Sequence, residues 1–118
     1  MNKPSIFVLH DDKDLVTILD ARFSVYQAYD TKILLLNNPS KLSKLTKLIE
    51  EQKPKVILSG SLGVLWKKAY KIAQGHNIPF VIYTSNENVV KEAQKMNIKC
   101  HDRTLDSEAI YEHMLYRK

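Results

Sequence analysis

Short apolar segments alternate with amphipathic, helix-length segments along this chain. The apolar segments are rich in Ile, Val and Leu and bounded by polar or turn-forming residues; they are Ser5–His10, Lys32–Leu36, Lys55–Ser59, Pro79–Thr84 and, more weakly, Ile98–His101. Continuous apolar runs of this length are typical of strands buried on both faces of a parallel sheet. We therefore predict five parallel strands.

The segments between these strands carry apolar residues at three- and four-residue spacing, as the buried face of a helix requires. Helices are predicted to begin at the acidic run Asp11–Asp14, at the turn Asn38–Ser40, at Leu62, and at the caps Asn86 and Asp106. The third of these helices covers Leu62–Gln74 and stops at Gly75. Such alternation predicts one doubly wound, three-layer α/β domain over residues 1–118, in the flavodoxin-like strand order 2-1-3-4-5.

The second strand has a competing candidate. Phe23–Tyr26 also alternates like a strand. Choosing it would leave a short first helix and an overlong connection, whereas Lys32–Leu36 leaves both flanking helices a normal length. We therefore prefer Lys32–Leu36.

Charge and composition narrow the function classes. The net charge of +5 favours acidic partners. The lysines at 41, 44 and 47 fit the solvated face of a helix, and they lack the aromatic interleaving of a nucleic-acid site, so nucleic-acid binding is not expected. No apolar run reaches eighteen residues, and Cys100 is the single cysteine. A cytoplasmic protein without a membrane span is the expectation.

Polar residues follow four of the predicted strands. They are His10-Asp11-Asp12, Ser59-Gly60, Thr84-Ser85 and His101-Asp102-Arg103. In open α/β sheets the carboxyl ends of the strands meet at one edge, and ligands bind there near the point where the strand order reverses. The sequence thus places its candidate chemistry at this edge.

The order of these features resembles the receiver domain of bacterial two-component response regulators, the CheY-like family. The resemblance rests on the acidic pair Asp11 and Asp12, on Thr84 closing a strand that begins with proline, and on Leu105–Ile110 before the last helix. It implies a site in which an acidic pair and a phosphoaccepting aspartate hold Mg²⁺. A hydroxyl and a lysine of later strands would then bind the phosphoryl oxygens. Asp11, Asp12 and Thr84 match the acidic pair and the hydroxyl.

Two positions depart from the family pattern. Ser59 stands where the resemblance places the phosphoacceptor, and Asp102-Arg103 stands near the lysine position. Serine is a weak nucleophile without an adjacent base, whereas the Arg103 guanidinium still suits phosphate oxygens. The aromatic residue that the family often uses as a switch falls near Lys99 and is missing. We expect weak Mg²⁺ binding at Asp11 and Asp12, and no required cofactor.

The sequence is therefore interpreted as a stand-alone, non-enzymatic pseudo-receiver that acts by protein–protein contact, with a protein partner or a second copy of itself. By the resemblance, the contact surface comprises Lys91, Lys95, Lys99, Tyr111, Leu115 and Tyr116. Two alternatives stay open. One is a flavodoxin-like domain that binds a small anion or metal at the strand ends. The other is an enzyme in which Ser59 or Ser61 acts as nucleophile with His10 or His101 as base.

Overall fold

The structure is a computed structural model and describes residues 5–14, 17, 21, 30–63 and 65–101. Its five strands are β1 (Ser5–His10), β2 (Asp30–Leu35), β3 (Val56–Ser59), β4 (Phe80–Tyr83) and β5 (Lys99–His101). All neighbouring strands pair in parallel, in the order β2-β1-β3-β4-β5. The doubly wound fold and the strand order predicted from the sequence are confirmed.

Helices connect the strands. A 3₁₀ turn, Pro39–Lys41, leads into α1 (Leu42–Gln52), and α2 (Trp66–Gly75) and α3 (Glu87–Lys95) follow. After β1, four of the described residues have helical backbone, which agrees with the predicted first helix. They are Lys13, Asp14, Thr17 and Ala21. The predicted last helix from Asp106 and the competing strand Phe23–Tyr26 lie outside the described residues.

Strand β2 begins two residues earlier than its hydropathy suggests. Asp30 and Thr31 pair with Ser5 and Ile6 of β1, so the ladder continues through polar residues. Backbone groups form the ladder whatever the side chain, and β2 lies at the edge of the sheet, where polar residues are tolerated. The apolar pattern therefore located this strand but missed its start.

Helix α2 begins at Trp66 and not at the predicted Leu62. Leu62 and Gly63 have φ angles of 55° and 62°, which place both in the left-handed region and exclude them from a right-handed helix. The strained backbone at Leu62 is offset by its side chain, which is 3% exposed and packs in the core.

Helices α2 and α3 end in the same way. We predicted Gly75 as the stop of α2; it is the last helical residue, but the left-handed residue is Asn77, with φ 57°. The N–H of Ile78 donates to the Ala73 carbonyl at 2.9 Å. Residues 93–98 repeat this arrangement, with Asn97 at φ 59°, because both segments read Ala-Gln-x-x-Asn-Ile. The same motif therefore ends both helices before the chain enters the next strand.

Both faces of the sheet are buried. Phe7, Leu9 and Ile57 pack with α1, α2 and α3 in one apolar cluster. The alternate residues Val8 and Leu58 are also fully buried and point to the opposite face, because successive strand side chains alternate. This two-sided burial is what the continuous apolar runs predict. Among the described residues, no helix is both long and apolar enough to cross a membrane.

Candidate functional site

The candidate site lies where β1 and β3 end side by side. The strand order reverses at β1, which has β2 on one side and β3 on the other, so ligand chemistry is expected beyond the ends of these strands. The N–H of Gly60 donates to the Leu9 carbonyl at 3.0 Å. A Cβ built on Gly60 would lie 3.7 Å from Cδ2 of His10. The structure therefore brings His10 and Gly60 together.

His10 is held by its own loop. Its side chain is 14% exposed, and its Nδ1 accepts the N–H of Asp12 at 3.1 Å. Oδ1 of Asp11 lies 3.4 Å from the same Nδ1. The imidazole is held beside Gly60.

Of the acidic pair, Asp12 caps the start of a helix. Asp11 and Asp12 are exposed, and Oδ1 of Asp12 accepts the N–H of Asp14 at 2.9 Å, as an N-cap does. No group of three or more His, Cys, Asp or Glu side chains is placed to hold a metal ion in the part of the chain that the structure describes. Mg²⁺ requires octahedral oxygen ligation. Asp11 and Asp12 alone supply fewer oxygen ligands than the Mg²⁺ site that the resemblance implies, and weak binding stays a prediction.

The Ser59 side chain does not reach the strand-end crevice. The residue is fully buried, and its Oγ donates to the Gly60 carbonyl at 2.7 Å. Its register partner is Leu9, and alternation places its side chain on the same face as Leu9 and Ile57. Since the hydroxyl proton is given to a carbonyl and not to an imidazole, this geometry does not support Ser59 as a nucleophile.

Position 60 is the one that faces His10. Because strand side chains alternate, the residue after Ser59 points to the side of the sheet edge where His10 lies, and that residue is glycine. A side chain that enters the crevice from β3 would therefore have to come from position 60. The sequence pattern shows where β3 ends but not which of its last residues faces the crevice.

Thr84 organises the turn between β4 and α3. Its N–H donates to the His101 carbonyl at 3.0 Å, and its Oγ1 accepts the N–H of Asn86 at 3.1 Å. Asn86 in turn accepts the N–H groups of Asn88 and Val89, which confirms it as the helix cap. The hydroxyl predicted to bind phosphate here shapes a turn. Arg103 and Asp102 lie outside the described residues.

A stacked pair of rings lies at the same edge of the sheet, between the ends of β4 and β5. Tyr83 and His101 face each other across β4 and β5, with ring centroids 4.6 Å apart and planes 23° from parallel. Tyr83 is 2% exposed. This pairing depends on the register between β4 and β5, which the hydropathy of the sequence does not reveal, so His101 was predicted only as a strand-end residue and a possible base.

The predicted contact surface is basic where the structure describes it. Lys91 and Lys95 are exposed and lie one helical turn apart on α3, and Lys99 is exposed at the start of β5. Glu92, between the two helix lysines, pairs with Lys67 of α2. The remaining predicted members, Tyr111, Leu115 and Tyr116, lie outside the described residues.

Comparison with known proteins identifies a fold. No protein-family model matches the chain, and neither does any curated protein. Among solved structures, the chain is similar to the signal receiver domain of a modulated diguanylate cyclase from Desulfovibrio desulfuricans G20. The two share 16% sequence identity, over 96% of this chain and 91% of that one, with a TM-score of 0.70. The chain has the fold of a signal receiver domain.

Proposed function

We propose that this chain is an atypical receiver domain of the bacterial two-component type, which signals by protein contact and without phosphorylation at the end of β3. The observation that carries the proposal is the pair of residues at that end. Ser59 is buried with its hydroxyl bound to a carbonyl, and Gly60, which faces the crevice, has no side chain. The receiver fold supports the signalling part of the proposal.

The chemistry of phosphoryl transfer explains why this observation matters. A transferring phosphoryl group needs an accessible acceptor atom and positive charge, usually a metal ion, to balance its oxygens. Ser59 offers a buried neutral hydroxyl, and Gly60 offers no acceptor. Asp12 uses a carboxylate oxygen to cap a helix. A domain with this arrangement retains the scaffold for contacts with other proteins.

The contact surface in this proposal consists of Lys91, Lys95 and Lys99. Since the pairing of Glu92 with Lys67 occupies the acidic group between the helix lysines, the outward charge of this surface is positive. Complementary potentials increase association rates and select partners. We propose that the partner is a protein with an acidic surface. A second copy of this chain is the other partner expected from the sequence.

Reversal of the surface charge tests this proposal. Lys91→Glu/Lys95→Glu should abolish capture of the partner from a lysate of the source organism, measured by quantitative mass spectrometry. The matched control Lys47→Glu/Lys55→Glu changes the net charge equally at exposed lysines elsewhere and should retain the partner.

Each capture is repeated with acetyl phosphate and Mg²⁺ present. We expect the same protein in equal amount with and without the phosphodonor. Loss of the partner in both charge variants, or recovery that depends on the phosphodonor, would contradict the proposal. The alternative of a small anion bound at the strand ends stays a prediction from the sequence.

A further inference from the structure

A cavity of about 300 Å³ lies between α1 and the strands β1 and β2. The described residues that line it are apolar except for two lysines; they are Leu9, Ile33, Leu34, Leu35, Leu36, Lys41, Lys44, Leu45 and Leu48. Leu9, Leu36 and Leu45 are buried members of the core, so the floor of the cavity is fixed by packing. None of the residues assigned above to the strand-end site or to the contact surface lines it.

Lys41, at the end of the 3₁₀ turn, lies on the same side as Lys44, Leu45 and Leu48 of α1. Lys41, Lys44, Leu45 and Leu48 are spaced three and four residues apart, which stacks them along a single stripe. Lys44 is exposed, Lys41 and Leu48 are half-buried, and Leu45 is buried. Ammonium groups therefore border an apolar surface at the amino-terminal end of the helix.

Among the described residues that line this cavity, the charged ones are Lys41 and Lys44, and none is acidic. Within α1, which the structure describes in full, the first turn contains no acidic residue. An anionic group is thus favoured at the end of the cavity where Lys41 and Lys44 lie.

We propose that this cavity binds an amphiphilic carboxylate, a straight-chain fatty acid of medium length. The carboxylate would pair with Lys41 and Lys44, and the alkyl chain would cover Leu34, Leu45 and Leu48. At roughly 30 Å³ for each small group, the volume that a water molecule takes in the liquid, the cavity holds about ten such groups. That size suits a small ligand better than a protein segment. Small-ligand sites are usually lined by apolar side chains with a few polar groups among them.

Decanoate is the probe for the test, titrated into the wild-type chain by calorimetry and followed by ¹H–¹⁵N NMR below its micelle-forming concentration. We expect saturable one-to-one binding, with shift changes at Leu34, Leu36 and Leu48. Lys41→Glu/Lys44→Glu should weaken binding by about tenfold or more, the effect of losing roughly 1.4 kcal/mol. The matched control Lys47→Glu/Lys55→Glu changes the net charge equally at exposed lysines outside the cavity lining, and it should leave the affinity within about twofold.

Charge selectivity on the unaltered chain gives an independent readout. Decyltrimethylammonium has a chain of the same length and the opposite charge, so it should bind at least about tenfold more weakly than decanoate. Absence of saturable decanoate binding, equal binding of the two amphiphiles, or shift changes confined to other surfaces would overturn the proposal. An equal loss of affinity in Lys47→Glu/Lys55→Glu would also overturn it, because the effect would then be one of net charge.

Discussion

Ser59→Asp is expected to destabilise the domain by about 3–5 kcal/mol, the usual consequence of an uncompensated buried charge, whereas Gly60→Asp is expected to fold. Ser59 is 0% exposed and faces the apolar cluster that contains Leu9 and Ile57. At Gly60 the added Cβ makes only ordinary contacts, the nearest being Cδ2 of His10 at 3.7 Å, and the backbone φ is not left-handed. Urea denaturation followed by circular dichroism measures both free energies of unfolding.

A matched pair of controls separates charge from volume. Ser59→Asn has nearly the shape of the aspartate without its charge, so it should be clearly less destabilising than Ser59→Asp. A Mg²⁺ titration adds a functional readout, in which Gly60→Asp should bind the ion more tightly than the wild-type chain, because a third carboxylate then joins Asp11 and Asp12. A stable Ser59→Asp variant that binds Mg²⁺ would show that position 59 reaches the crevice, as the resemblance alone suggests.

Tyr83→Ala is expected to lose about 3–5 kcal/mol of stability, because it removes a large aromatic ring from a buried site. The ring is 2% exposed and stacks on His101 of the neighbouring strand. β5 is short and is paired only with β4 in the described sheet, so the loss should also loosen β5. Thermal unfolding measures the stability, and amide hydrogen exchange at Cys100 measures the local opening.

The control for this prediction is Tyr70→Ala. Tyr70 is half-buried on α2 and meets Phe80 edge to face, with ring centroids 5.7 Å apart. We expect a loss of about 1 kcal/mol, because less area is uncovered and an edge contact is worth roughly 0.5–1.5 kcal/mol. Equal losses for the two tyrosines would show that the stacked pair at the sheet edge has no special role in holding β5.

The sequence was sufficient to predict the sheet, because its strands are buried on both faces. Such strands read as continuous apolar runs, and the amphipathic segments between them leave one sensible topology. The starts of elements were harder to predict. Asp30 belongs to β2 through backbone pairing alone, and Leu62 is held left-handed by the burial of its side chain, which no local pattern indicates.

The candidate site was predicted in part. Of the described strand-end residues, His10 lies beside Gly60, and the N–H of Thr84 donates to the His101 carbonyl. Which side of the sheet Ser59 and Gly60 point to depends on the register between β1 and β3, because a shift of one residue exchanges the two sides of a strand. The stacking of Tyr83 on His101 depends on register in the same way. The repeated Ala-Gln-x-x-Asn-Ile segment is present in the sequence, but its role in ending both helices was not predicted, and Gly75 was the predicted stop of α2.

The most direct test of the central claim is the intact mass of the wild-type chain after incubation with acetyl phosphate and Mg²⁺. A receiver domain that has the phosphoaccepting aspartate, treated in parallel, serves as the positive control. Because Ser59 is buried and Gly60 has no side chain, the mass of this chain should stay unchanged while the control gains one phosphoryl group. A stoichiometric phosphoryl adduct on this chain would contradict the account, and an adduct that maps to Ser59 would support the serine-nucleophile alternative instead.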